Sequence, residues 1–172
     1  MMRTLVAYAS KHGSTEEVAR KIASALREAG HEVAVRDAEV VADVSDYDTV
    51  VLGAPLYMGR WHTAARDFAR LHRAALEERT LAVFALGPLD LEEEHVADSR
   101  RQLDRALGRL GVHPQFVEVF GGAVDPAKLH FPLNRMPKTD ARDWSEIEAW
   151  AEEVTGRYAG QLGHAAAVTT VG

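Results

Sequence analysis

Two periodicities alternate along the chain. Residues 3–9, 32–36, 48–54, 80–86 and 115–121 are short, mostly apolar runs, several of them nearly continuous in Val, Leu, Ala and Phe. Such runs suit strands of a parallel sheet that is covered on both faces. Between them, apolar residues return every third or fourth position. Val18, Ile22, Leu26 and Ala29 share one face of a first helix, which Gly30 ends. Ala64, Phe68, Leu71 and Ala75 share a face of a second. Val96, Leu103, Leu107 and Leu110 do so in a third, stopped by Gly111 and Pro114. A last helix is expected from Asp143, with Glu146 three residues on, carrying Ile147, Trp150, Ala151, Val154 and Tyr158.

Five strands alternating with helices and joined by right-handed crossovers give a three-layer α/β sandwich. Residues 37–47 are short for a connection and only weakly helical in pattern. Residues 122–142 hold Pro126, Pro132 and Pro137 and read as a long loop, of a kind usually functional or mobile. Residues 159–172 show no pattern and read as a flexible C-terminal tail, leaving 1–158 as a single domain.

Composition narrows the function. The 172 residues suit one domain, and 47% hydrophobic residues suffice for a core. The net charge of −6 and a pI of about 5.7, with no block of Lys or Arg, speak against nucleic acid. There is no cysteine, which removes disulfides, iron–sulfur ligation and thiolate chemistry. No apolar run approaches the ~20 residues that span a bilayer, and no signal peptide is evident. A soluble cytoplasmic protein is the expectation.

The first strand runs into Ser10-Lys11-His12-Gly13-Ser14-Thr15, and a helix follows at once. N–H groups at a helix N-terminus lack intrahelical partners and carry partial positive charge. The hydroxyls of Ser10, Ser14 and Thr15 add donors there, and Gly13 lets the backbone close around an oxyanion. Ser14 with Glu17 also reads as a capping box, which starts a helix without any ligand. Position favours the ligand, because open α/β sheets bind beyond the carboxyl ends of their strands.

Other phosphate-binding chemistries lack their residues. A dinucleotide fold wants G-x-G-x-x-G after strand one, and only Gly13 is present. No Gly-Lys-Ser/Thr triplet and no G-x-S-x-G exist in the chain. A receiver domain needs acidic residues where Ala9-Ser10 and Gly53-Ala54 stand. What remains is a mononucleotide held by its phosphate, with a flat ring across neighbouring loops. Strand three ends in Gly-Ala-Pro-Leu-Tyr-Met-Gly-Arg-Trp-His (53–62), where Tyr57, Met58 and Trp61 offer apolar surface to such a ring. Strand four ends in Leu-Gly-Pro-Leu-Asp (86–90). The eight histidines are scattered, and no metal site is expected.

Tyr-Ala-Ser-Lys-His-Gly-Ser-Thr-Glu-Glu-Val-Ala, then Tyr-Asp-Thr-Val-Val-Leu-Gly-Ala-Pro-Leu-Tyr-Met-Gly (47–59), resembles the FMN-binding flavodoxins. The match is most similar to the flavodoxin-domain branch that includes menaquinone-dependent protoporphyrinogen dehydrogenase. Gly59-x-x-His62-x-Ala64-x-x-x-Phe68 and Asp143-Trp144 support that branch. The resemblance extends over residues 3–158 or so. It implies a flavodoxin-like five-stranded parallel sheet of order 2-1-3-4-5, non-covalent FMN and redox chemistry. By that resemblance Ser10, Lys11, His12, Gly13, Ser14 and Thr15 hold the phosphate. Ala54, Pro55, Leu56, Tyr57, Met58, Gly59, Trp61, Leu86, Gly87, Pro88, Leu89 and Asp90 hold the ribityl chain and ring.

The function expected first is an FMN-dependent electron carrier or small reductase, with no side chain assigned a catalytic step. Its partners are a redox protein or a small-molecule donor or acceptor such as a quinone, with no nucleic acid and no membrane insertion, the protein being a monomer or homodimer. Acidic groups near the ring, Asp90 and Glu92–Glu94, would lower the potential and Arg60 would raise it. The alternative is a quinone-dependent protoporphyrinogen IX dehydrogenase. A cofactor-free scaffold is argued against by the intact Gly13, Ser14, Thr15 and Gly59.

Overall fold

Arg3–Tyr8 (β1) lies between Glu32–Asp37 (β2) and Thr49–Tyr57 (β3), in parallel register with both. Arg60–Trp61 (β4) doubles back on the end of β3, Thr80–Leu86 (β5) continues the parallel sheet beyond β3, and Phe116–Phe120 (β6) closes it. The order β2-β1-β3-β5-β6 is the expected 2-1-3-4-5 with one antiparallel spur. All five expected strands form, each within three residues of its predicted ends. The computed structural model describes residues 1–168, with side chains as far as residue 156.

Ser14–Glu28 (α1) and Trp144–Val168 (α5) cover one face of the sheet. Thr63–Leu71 (α2), Arg73–Glu77 (α3) and Glu93–Leu110 (α4) cover the other. Because the sheet is buried on both sides, alternate residues of one strand feed two cores. Leu5 and Ala7 pack with Phe68 and Leu103, while Val6 packs with Ile22, Phe84, Ile147 and Trp150. On the α1/α5 face, the rings of Phe84, Phe120 and Trp150 lie 5.8–6.1 Å apart in tilted and edge-on pairs. Asp143 caps α5 by accepting from the N–H groups of Ser145 and Glu146 at 3.0 and 3.2 Å.

Two expectations are corrected. The second helix does not run through Leu71 and Ala75 as one piece. It breaks at His72, which turns inward, stacks on Phe68 at 4.6 Å and meets the carbonyl of Val41, leaving Leu71 74% exposed. The weak 37–47 stretch keeps only a short 3-10 turn, Ala38–Val40. α5 extends as far as Val168, into the stretch expected as a tail, and residues 169–172 lie outside the described residues.

Residues 122–142 are not a featureless loop. Ala123–Val124 (β7) and Thr139–Asp140 (β8) pair antiparallel at its base, with two short 3-10 turns between.

Candidate functional site

The loops after β1, β3 and β5 lie at the carboxyl ends of three adjacent strands. The first is held at its start by the N–H of Ala9, which donates to the carbonyl of Gly53 at 2.9 Å. Ser10 Oγ then accepts from the N–H of Gly13 at 2.9 Å. Gly13 itself sits at φ 91°, a left-handed conformation that disfavours any residue with a Cβ.

That glycine, and not Ser14, is the N-cap of α1, and no side chain caps the helix. The Ser14–Glu17 capping box therefore does not form. Glu17 instead meets the guanidinium of Arg142 at 3.1 Å, and Glu16 meets Arg20 at 2.7 Å. Both first-turn carboxylates are thus compensated by cations. The N–H groups of residues 14–16 precede the first intrahelical bond, from Glu17 to Gly13. Thr15 is fully buried, and among the described residues its Oγ1 is the one buried side-chain polar atom without a partner. An unmet buried hydroxyl costs roughly 1–3 kcal/mol.

The 122–142 segment supplies residues to this loop that the sequence reading did not place. Lys128 Nζ donates to the carbonyl of His12 at 3.2 Å. Arg142 Nη1 donates to the carbonyl of Ser14 at 3.2 Å, while the same guanidinium forks onto Asp140 at 2.8–2.9 Å and lies over the Trp144 ring. The charged hydrogen bond holds the Asp140 carboxyl below the usual range. Both cations were visible in sequence as two of four in a proline-rich stretch; spacing carries no sign of which ones fold back onto residue 12 or 14.

The β3–β4 hairpin forms the second wall. Leu56 pairs with Trp61 and Tyr57 with Arg60, leaving Met58 and Gly59 as the turn, both at positive φ (48° and 77°). That is the geometry of a two-residue hairpin turn, which Gly59 takes without cost and Met58 does not. Met58 is fully exposed and Tyr57 is 46% exposed. Trp61 is not part of this surface. It is 1% exposed, packs in the α2/α4 core, and its indole N–H donates to the carbonyl of Ala54 at 3.1 Å. Ala54, Pro55 and Leu86 are buried as well, and the Pro55 carbonyl is taken by the N–H of His62.

In the third loop, the N–H of Gly87 donates to Phe120 at 2.9 Å and that of Gly122 to Pro88 at 2.7 Å. The 122–142 segment is thereby tied to two of the three loops. Leu89 and Asp90 are exposed. Asp90 Oδ1 accepts from His95 Nδ1 at 2.8 Å, which raises the His95 pKa and lowers that of Asp90. Asp90, Glu92 and His95 bring their ligand atoms within 4.8 Å of one another, all on the exposed surface.

Residues 5–136 match the flavodoxin domain family. The chain belongs to that family. It is 30% identical over 171 residues to protoporphyrinogen IX dehydrogenase [quinone] of Escherichia coli, covering 89% of this chain and 94% of the relative. Among solved structures it resembles Flavodoxin 2 of Bacillus cereus, with a TM-score of 0.63 and 23% identity over 90% of this chain and 99% of the other. It also resembles a Fusobacterium nucleatum flavodoxin mutant bound to flavin mononucleotide, with a TM-score of 0.53 and 16% identity over 91% and 97% of the two chains. Among the described residues no helix is long and apolar enough to cross a membrane.

Proposed function

We propose that this chain binds FMN without a covalent bond and serves as an electron-transferring redox protein. The observation that carries the reading is the orphaned Thr15 Oγ1 at the uncapped N-terminus of α1, beside the Lys128 ammonium. The loop, the first turn of α1 and Lys128 together offer hydroxyls, N–H groups without intrahelical partners and a cation, which are the groups a terminal phosphate requires. Ser10, Ser14 and Thr15 supply hydroxyls, the first turn of α1 supplies N–H groups, and Lys128 supplies charge. Arg20 and Arg142 keep Glu16 and Glu17 from opposing the anion.

Bound there, the flavin supplies reversible one- and two-electron transfer, and the chain positions and tunes it. Tyr57 and Met58, raised on the hairpin, offer a ring face its apolar contact, while Leu89 and the backbone of residues 87–90 border the other loop. Asp90 and Glu92–Glu94 place negative charge near that loop, partly offset by His95, and disfavour a reduced anionic ring. The exposed Phe131, Leu133 and Met136 crown the 122–142 segment that adjoins both loops. They form an apolar patch for a redox partner or for a small donor or acceptor.

The test is flavin-fluorescence quenching on the apoprotein. FMN is expected to bind far more tightly than riboflavin, because only FMN carries the phosphate. Equal affinities would overturn the reading.

A second reading is favoured by the relative that is 30% identical over 89% of the chain. It is quinone-dependent oxidation of a porphyrinogen at the same site. Anaerobic turnover of protoporphyrinogen with a menaquinone analogue, run beside reduction by a flavodoxin reductase, separates the two. Fast quinone-dependent turnover would place the enzyme reading first.

A further inference from the structure

Five arginines line one groove between α2 and α4. Arg60, Arg66 and Arg70 come from β4 and α2, and Arg105 and Arg109 from α4, with Gly59 and Trp61 also on its wall. The groove encloses about 480 Å³, within the range of small-molecule sites. Among the described residues no carboxylate lines it, although acids outnumber bases 26 to 20 in the whole chain. Of the five, Arg70 alone has an ion pair among the described residues, with Asp67 at 2.9 Å. Arg66 is fixed in place, donating from Nε to the Trp61 carbonyl and from Nη2 to Thr63 Oγ1, both at 3.0 Å.

The opposite flank of α4 has the reverse character. A second concavity, against β6 and α5, is lined by Glu93, Glu118, Glu146 and Glu153, with Arg100 as its one cation among the described residues. Charge of the two signs is therefore sorted to the two sides of one helix. Guanidinium groups gathered in a concavity repel one another and focus a positive field into it. Their planar forks match carboxylate and phosphate oxygens two at a time.

We infer that this groove binds a small polyanion, a molecule with phosphate or carboxylate groups at two or more points. Its concave shape and ligand-sized volume favour a small molecule over the acidic face of a protein. Gly59 and Arg60 belong both to the groove and to the hairpin that raises Tyr57 and Met58. A substrate, donor or acceptor captured by its anionic groups is thus delivered beside the proposed ring-binding turn. The site itself does not depend on a flavin being bound.

The experiment is calorimetric titration of the full chain, as purified, with inorganic pyrophosphate and with citrate, at fixed total ionic strength of about 0.15 M. One comparison protein carries Arg70→Gln, Arg105→Gln and Arg109→Gln. A control loses the same charge elsewhere, through Arg3→Gln, Arg27→Gln and Arg36→Gln. We expect saturable one-to-one binding that weakens at least tenfold in the groove variant and is unchanged in the control. Pyrophosphate alone binding assigns a phosphate ligand, and citrate alone a carboxylate ligand. No saturable binding of either probe overturns the inference, and so does an equal loss in both variants, which would mark diffuse charge. Capture of an acidic protein with neither probe bound also overturns it. FMN affinity, read separately by fluorescence, is expected to be the same in all three proteins, so failure here leaves the cofactor reading standing.

Discussion

The ammonium group of Lys128 donates to the main-chain carbonyl of His12 at 3.2 Å, across 116 positions of sequence. A Cβ built on Gly13 would come within 3.7 Å of the same nitrogen. The cation therefore hangs over the loop in which a phosphate is proposed to sit. The segment that carries it is also tied to the start of α1 by Arg142, which meets the Ser14 carbonyl and the Glu17 carboxylate.

Replacing Lys128 by Met keeps the aliphatic stem and removes the charge. A charge-assisted hydrogen bond is worth ~1.5–3 kcal/mol, so FMN affinity is expected to fall by about tenfold or more. Riboflavin affinity stays unchanged, because it lacks the group that Lys128 meets. The loss shrinks as salt is raised from low to high concentration, since the cation is exposed. Titration of both flavins at two ionic strengths checks all three statements.

Thr15→Val has opposite effects on the two forms of the protein. The substitution is nearly isosteric and removes a buried hydroxyl that has no partner. The apoprotein is expected to gain stability, up to roughly 1–3 kcal/mol, because the unmet polar group is gone. FMN binding weakens by about 1 kcal/mol or more. Chemical denaturation of the apoprotein and flavin titration read the two signs. A Thr15→Val apoprotein less stable than the parent would mean that the hydroxyl is satisfied without a ligand.

The pattern of short apolar runs was enough for the five strands and their neighbours, because a doubly covered parallel sheet leaves that pattern whatever its loops do. Helix faces were legible for the same reason. The break at His72 was not, since Leu71 fits the apolar periodicity and a histidine ordinarily reads as surface. The Phe68 ring one turn earlier in α2 and the Val41 carbonyl, which comes from a distant segment, make its burial favourable. The Ser14–Glu17 box failed on conformation: Gly13 takes the left-handed cap, and Arg142 draws Glu17 away. Trp61 read as ligand surface because side-chain direction in a hairpin depends on register. Register here puts Trp61 beside Leu56 and under the sheet end.

Trp61→Ala is expected to destabilise the fold by about 3–5 kcal/mol, through the cavity it opens in a closed core. Trp61→Phe fills most of that space and loses the bond to the Ala54 carbonyl, at a cost of about 1 kcal/mol. Denaturant melts of the two variants provide the measure. Loss of fold stability in the alanine variant, with normal flavin quenching in the phenylalanine one, identifies Trp61 as a support for the hairpin.

His95 is expected to titrate above the ordinary histidine value of ~6.5, held up by Asp90. The pair's contribution to stability through His95 is full below the unfolded histidine value and is lost as pH rises through the raised folded one. Through Asp90, whose folded pKa is lowered, it is present above the unfolded carboxyl value and is lost as pH falls through the folded one. Both groups are exposed, so the effect is small and salt-sensitive. Proton NMR of the His95 ring in the wild type and in Asp90→Asn follows it: the substitution returns the ring toward its ordinary value.

The β7–β8 pair closes the 122–142 excursion at its neck, where the N–H of Ala141 also donates to the carbonyl of Gly122. With the ends fastened there, and Lys128 anchored on the His12 carbonyl, the chain between Lys128 and Lys138 is a cassette. Its length can change without shifting the register of β6 or the start of α5. The entropy of closing a longer loop grows only with the logarithm of its length, at ~0.6 kcal/mol per doubling. Within one unaltered scaffold, evolution or an engineer can therefore exchange the cassette to choose which partner meets the open edge of the site.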